Sequence, residues 1–380
     1  MFETLKRFYY KLKFYNRKRL DIKRGWSLSK DAPHNKTKPF PEKIQRILFI
    51  ATSGGLGDAI YISGLFKALA DDGYTIEVAT MWWGLPRFKH LPFIEKYFDL
   101  ANKKACDEAI AKKPDILIDL EWINKNHWDF RKYLLTQTNC FKVTTSYLLE
   151  DMNIFNHYLD YSRVEHMSER LALTRTLING EQSTPIRPYI EISDAEHTQA
   201  TEFIRKIRPT NTKILYLNGI AGESDRCLST DQISAILTEL KAYPDIKILM
   251  PSKEYSKFKS DQLVKLPKTS FTGFCAILKR CDYIISVDTS VVHIASAYNI
   301  PAIAFFSPND RDHFVKFAQA EVWSPTSDHS YTERFDDPDL IIYDYGFGIK
   351  NRRMRDMNTI PPAVLAERVR KDMEELYNLK

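Results

Sequence analysis

From Arg46 onward the chain repeats one pattern: a short continuous apolar run, a Gly- or Asp-rich break, then a longer stretch with apolar residues at helical spacing. Residues 46–52 predict a buried strand and Ser53–Gly57 interrupts it. Asp58 then opens an amphipathic helix through Ile60, Ile62, Leu65, Phe66 and Leu69, stopped at Asp71-Asp-Gly73. Further strands are predicted at 75–80, 115–120 and 141–145, with helical stretches between them. A polar helical stretch covers about 163–179, and Pro185 and Pro188 mark a linker. The pattern then restarts, with strands at 213–218, 246–250, 283–287 and 302–306. Helices are predicted at 230–243, 274–280 and from Thr289, and a terminal helix at 361–377.

Strands alternating with helices imply parallel sheets covered on both faces. Two such halves in tandem account for the repeat better than one large sheet, and 380 residues suffice for two cores. The expected fold class is therefore α/β, with two doubly wound Rossmann-like domains facing across a cleft. The expected divisions are an arm at 1–45, domains at 46–185 and 186–360, and a C-terminal helix at 361–380. In such folds ligands bind at the carboxyl ends of strands, so chemistry is expected in the loops after Thr52, Asn218, Met250 and Val287.

Charge changes this picture once it is located. Residues 1–46 hold 14 Lys+Arg and 4 Asp+Glu, a net +10, which leaves the rest at −4 against +6 for the whole chain. A mildly acidic body carrying a basic arm argues against nucleic acid as a partner. In the arm, Phe2, Leu5, Tyr9, Leu12 and Tyr15 recur at helical spacing among Lys6, Arg7, Lys11, Lys13, Arg17, Lys18 and Arg19. Residues 1–24 are thus expected to lie on an anionic membrane surface, or else to pack on the body or remain a tail. No apolar run approaches the roughly 18 residues of a membrane span, and no signal-peptide core is present. The five scattered cysteines form no CxxC pair, as expected for structural thiols in a reducing cytoplasm.

Three constellations could carry chemistry. Ser53-Gly54-Gly55-Leu56-Gly57-Asp58 approaches a dinucleotide fingerprint but has Ile60 where the third Gly belongs. Its Asp58 would repel a pyrophosphate at the helix start, so Asp58 is either a helix cap or a base. The run Asp288-Thr289-Ser290-Val-Val-His293 ends a strand and opens a helix with hydroxyls and no acid, with His293 one turn on; it is either a place for an anion or a capped helix with a core His. The loop Asn218–Arg226 delivers Arg226 as a phosphate clamp or as an ordinary surface Arg. Glu254, four residues past a strand, could accept from ribose hydroxyls or simply start a helix. Asp310-Arg-Asp312 has the spacing of metal-dependent sugar transferases but no third carboxylate group near it, and no metal site is assigned.

An opening of the form ILFIxxxxGLGDxI (47–60) and a closing VDTSxxHIAxAxxIPxIAFFSPND (287–310) together resemble glycosyltransferase family nine, the ADP-heptose:lipopolysaccharide heptosyltransferases. The resemblance covers most of 46–323. It implies a GT-B architecture with the acceptor domain first and the nucleotide-sugar domain second, inverting transfer, and neither metal nor cofactor. By motif it makes Asp58 the base, with Gly54, Gly55 and Gly57 in the acceptor-side loop. Asp288, Thr289, Ser290 and His293 fall in the donor-binding loop, Arg226 on the donor phosphates and Glu254 near the ribose. The implied donor is ADP-heptose and the implied acceptor a lipid-linked saccharide, used by a peripheral enzyme on the cytoplasmic face of the inner membrane. Two positions depart from the family: Arg226-Cys-Leu-Ser replaces Lys-Arg/His-Trp-Pro, and Ser290 stands where Gly is usual. The rival readings are transfer of another nucleotide-sugar to a surface glycan, an NAD-dependent oxidoreductase, and a non-catalytic nucleotide-sugar-binding module.

Overall fold

A computed structural model describes residues 38–51, 55–81, 91–120, 128–145, 154–161, 164, 166–222, 224–306, 323–327, 330–334 and 357–377. Gly54, Asp310, Asp312 and the arm segment 1–24 lie outside the described residues. The chain divides between Ile186 and Arg187 into two compact units.

The first unit holds strands β1 (Arg46–Ile50), β2 (Thr75–Thr80), β3 (Ile94–Asp99), β4 (Ile116–Asp119), β5 (Phe141–Thr144) and β6 (His157–Tyr158). They form one parallel sheet in the order β3-β2-β1-β4-β5-β6. Its helices are α1 (Leu56–Asp71), α2 (Lys103–Ala111), α3 (Trp128–Gln137) and α4 (Met167–Asn179). Helix α1 lies on β1 with the Phe49 and Phe66 rings 4.8 Å apart, both fully buried. Each such aromatic contributes about 1.5–3 kcal/mol by leaving water. On the other sheet face Leu48, Ile50 and Leu117 pack with Phe98, Cys106, Ala109, Leu134 and Leu135.

The second unit repeats the arrangement. Strands β7 (Lys213–Asn218), β8 (Ile246–Met250), β9 (Leu263–Lys265), β10 (Tyr283–Val287), β11 (Ala302–Phe306) and β12 (Tyr331–Arg334) run in the order β12-β11-β10-β7-β8-β9, again all parallel. Read from its first strand outward, each sheet has the same 3-2-1-4-5-6 order, that of a Rossmann domain. The helices are α5 (Asp194–Ile207), α6 (Thr230–Leu240), α7 (Ser252–Tyr255), α8 (Phe271–Leu278), α9 (Ser290–Tyr298) and α10 (Pro362–Tyr377). The terminal helix, which the sequence pattern sets apart, packs on α6, with Leu365, Val369 and Met373 in the core of the second unit. Gln232 of α6 fastens its approach by donating to the carbonyls of Met357 at 2.6 Å and Ile360 at 2.8 Å.

The apolar runs at 75–80, 213–218, 246–250, 283–287 and 302–306 are strands with the expected bounds. The pattern misses β3, β6, β9 and β12, the outermost strands among the described residues, which are short or alternate irregularly because one edge faces no described partner strand. It also misses α5, whose buried residues are only Ala200 and Ile204. A legible signal was there: Ser193 and Glu196 form a capping box, the hydroxyl and carboxylate each taking the other's backbone N–H.

Candidate active site

The order of each sheet reverses beside its first strand, opening a crevice at the carboxyl ends where the connections diverge. In the second unit this point lies between β7 and β10. The loop after β7 folds back on itself: Leu228 N–H donates to the Gly219 carbonyl at 2.8 Å, and Ala221 N–H donates to Cys227 Sγ at 3.2 Å. A 3-10 turn, Ser224–Arg226, ends it. There Arg226 Nη1 donates to Asp288 Oδ2 at 2.9 Å, joining the loop to the residue that follows β10. The Asp288 N–H is itself held by the Phe305 carbonyl at 3.0 Å.

Thr289 caps α9, its hydroxyl accepting from Val291 N–H at 3.1 Å, and Ser290 is the first helical residue. No acid stands in the first turn, so the positive end of the helix dipole is not neutralised by its own side chains. His293 is buried in the same helix, its ring 5.5 Å from that of Trp323, a neighbour the motif does not announce. Glu254 of α7 is buried at the end of β8, and its Oε2 accepts from Gly219 N–H at 3.3 Å. Burial pushes its carboxyl above the ordinary range, partly offset by the Gly219 N–H and by Lys257 and Lys253. A Cβ at Gly219 would come within 3.0 Å of Glu254 Oε1 and 2.8 Å of Ile233 Cδ1, so glycine is what lets the carboxylate approach the loop. The fold thus brings Arg226, Asp288, Thr289 and Ser290 to one strand end, with Glu254 joined to the same loop at its start.

In the first unit α1 begins at Leu56, two residues before the expected start, so Asp58 is its third residue. Its Oδ2 accepts from Gly55 N–H at 3.0 Å, which makes it a cap reaching back from inside the helix. A Cβ on Gly55 would meet that oxygen at 2.9 Å, so Gly55 makes room for the carboxylate, and Gly57 is the second helical residue. Capping does not exhaust Asp58, because a carboxylate has about four acceptor positions.

Sequence reasoning passed over two neighbours. Asp119, at the end of β4 and in register with Ile50, takes Nε of Arg131 at 3.1 Å and its Nη2 at 2.6 Å, with both side chains buried. An acid ending an apolar strand needs a cation nearby, and that was the available clue. One turn beyond Asp58, Tyr61 packs against His166, whose Nδ1 accepts from Ser168 N–H at 3.2 Å. Among the described residues no three His, Cys, Asp or Glu side chains come together as metal ligands. Nor, among them, is any helix long and apolar enough to cross a membrane.

The model of glycosyltransferase family 9 (heptosyltransferase) matches residues 249–334, a span that contains Glu254 and the Asp288–His293 run. A relative in Escherichia coli (strain K12), provisionally named lipopolysaccharide heptosyltransferase 4, is 24% identical over 297 residues, 75% of this chain and 80% of its own length. Over these spans the chain is similar to glycosyltransferase family 9.

Solved structures agree on the fold. A family 9 glycosyl transferase from Veillonella parvula superposes with a TM-score of 0.65 at 16% identity, covering 89% of this chain and 99% of its own. The E. coli ADP-heptose lps heptosyltransferase II gives 0.60 at 16% identity over 87% and 100% of the two chains. The E. coli heptosyltransferase WaaC with ADP gives 0.58 at 17% identity over 87% and 99%. The fold is therefore of GT-B type, built from two Rossmann-like domains.

Proposed function

We propose that this glycosyltransferase moves a heptose from ADP-heptose to a sugar hydroxyl of a lipopolysaccharide or lipooligosaccharide core, with inversion and without a metal. Residues 46–185 would take the acceptor and 186–360 the donor. The observation that carries the reading is the Arg226–Asp288 pair beside the acid-free start of α9, at the switch point of the second unit. The relatives support the substrate class, since their names speak of lipopolysaccharide heptosyltransferases and one is solved with ADP.

The chemistry assigns each group a task. The acceptor oxygen forms its bond to the anomeric carbon as the bond from that carbon to the diphosphate breaks. Asp58 takes the proton that the hydroxyl loses, a step worth about 10²–10⁴ in rate. The departing diphosphate gains negative charge, which the Arg226 guanidinium, the N–H groups and hydroxyls at Thr289 and Ser290, and His293 stabilise. Asp288 holds Arg226, and Glu254 accepts from ribose hydroxyls.

Thermal shift with ADP, ADP-heptose and NAD, followed by transfer assays with and without EDTA, tests this. Stabilisation by ADP but not NAD, with turnover that survives EDTA, is expected. Stabilisation by NAD alone would favour an oxidoreductase, donor binding without turnover a binding module, and rescue by Mg²⁺ a metal site at Asp310 and Asp312.

The basic segment 1–24 would hold the enzyme on the cytoplasmic face of the inner membrane, where a lipid-linked acceptor resides. Deleting it should abolish sedimentation with anionic liposomes while a delipidated acceptor is still used. Retained sedimentation at physiological salt would exclude the arm as the anchor.

A further inference from the structure

Asn218 ends β7 in register with Ser286 of β10. Its amide nitrogen donates twice, to the Ile220 carbonyl at 3.0 Å and to Ser286 Oγ at 3.2 Å. Ser286 in turn donates to the Val287 carbonyl at 2.8 Å. Both acceptors are fixed by their chemistry: a carbonyl only accepts, and a hydroxyl that has given away its single proton can only accept. The amide cannot be turned over, because its oxygen would then face two other acceptors. One buried side chain therefore ties the loop that ends in Arg226 to the strand that ends beside Asp288.

The loop has a second tie to that strand end, the Arg226–Asp288 pair itself, whose guanidinium side chain is 27% exposed. A guanidinium that turns to a diphosphate gives up part of its hold on Asp288. The Asn218 bridge then remains as a fixed reference between the loop and the Asp288–Ser290 turn. The bonds from Leu228 to Gly219 and from Ala221 to Cys227 close the loop on itself, and that from Gly219 to Glu254 fastens its start toward β8; none of these reaches β10.

We propose that Asn218 is a positioning residue of the donor site, acting through Arg226 by keeping the 219–228 loop in register with the turn after β10. The inference rests on the reading of this switch point as the donor site. It predicts coupling between two side chains, of which only Arg226 meets the phosphates. A residue that supports the fold alone would show none.

The test is a double-mutant cycle in the full chain, with ADP affinity by calorimetry and the KM and kcat for ADP-heptose as readouts. Asn218→Ala should weaken ADP binding and raise the donor KM by about tenfold, the effect of losing a buried hydrogen-bonded bridge, with a smaller loss in kcat. In an Arg226→Ala background the same change should alter ADP affinity by less than about twofold. Ser286→Ala removes one leg of the bridge and should show the same coupling at smaller size. It decides the question on the same criterion should Asn218→Ala fail to fold. Equal losses in both backgrounds, or an unchanged donor KM in Asn218→Ala, overturn the proposal while leaving the donor site in place. If Arg226→Ala itself binds ADP like the parent, the donor reading fails and the positioning role goes with it.

Discussion

The two units share one sheet order, yet their switch points are built in opposite electrostatic senses. Between β1 and β4 the last register row sets apolar Ile50 beside Asp119, which finds its cation, Arg131, in the following helix. Between β7 and β10 the corresponding row sets Asn218 beside Ser286, two polar groups that satisfy each other directly. The helices differ likewise. The start of α1 is occupied by its own carboxylate, Asp58, whereas α9 begins with Thr289 and Ser290 and has no acid in its first turn. The first arrangement disfavours a diphosphate and suits a neutral hydroxyl that must lose a proton; the second attracts a diphosphate. On the proposed reading, one topology would supply both halves of a transfer reaction, with the few residues at the strand ends deciding which half each unit performs.

The sharpest way to break that contrast is to remove the charge of Asp58. Asp58→Asn should lower turnover by on the order of 10²–10⁴. The amide oxygen still accepts from Gly55, so only the charge–dipole part of the cap, about 0.3–1 kcal/mol, is lost from stability. Steady-state rates beside thermal melts distinguish the two roles, and near-parental turnover would leave Asp58 a cap alone.

The next cut falls on the ion pair of the first switch point. Arg131→Met leaves Asp119 buried without its guanidinium and should cost about 3–5 kcal/mol in urea unfolding. Arg226→Ala should cost less stability, because Asp288 and Arg226 are both more exposed than their counterparts. Equal losses would mean that the two pairs are not differently buried in solution.

A third substitution asks how the second unit treats a buried acid held by no ion pair among the described residues. Asp372 of α10 is 5% exposed, and neither of its carboxylate oxygens has a hydrogen-bond partner among the described residues. Burial, with nearby Glu375, pushes its pKa to about 7. The folded state therefore holds a proton that the unfolded state releases near 3.8, so stability falls as pH rises from there through about 7. Asp372→Asn should match the parent below pH 4 and exceed it by up to about 4 kcal/mol above pH 7, because each tenfold gain in proton affinity on folding corresponds to about 1.4 kcal/mol. Melting curves across that range check it, and a constant difference at all pH values would remove the carboxylate as the cause.

The sequence by itself determined the repeated α/β pattern, most of the inner strands and the chemical type of each candidate site residue. Continuous apolar runs such as 283–287 have no alternative to burial on both faces, and Gly219 and Gly55 mark places where something must approach closely. Edge strands and α5 escaped because burial on one side leaves only a weak apolar signal. Tertiary structure alone decided the pairings. That Arg226 meets Asp288 62 residues away, that Asn218 meets Ser286 68 residues away, and that Asp119 draws on Arg131 follow from strand order and register. Local spacing carries no information about these. A hydrogen bond or ion pair across a parallel sheet joins residues whose separation is set by the length of the crossover between strands, and residue pattern specifies that a crossover exists without specifying which strand it returns beside.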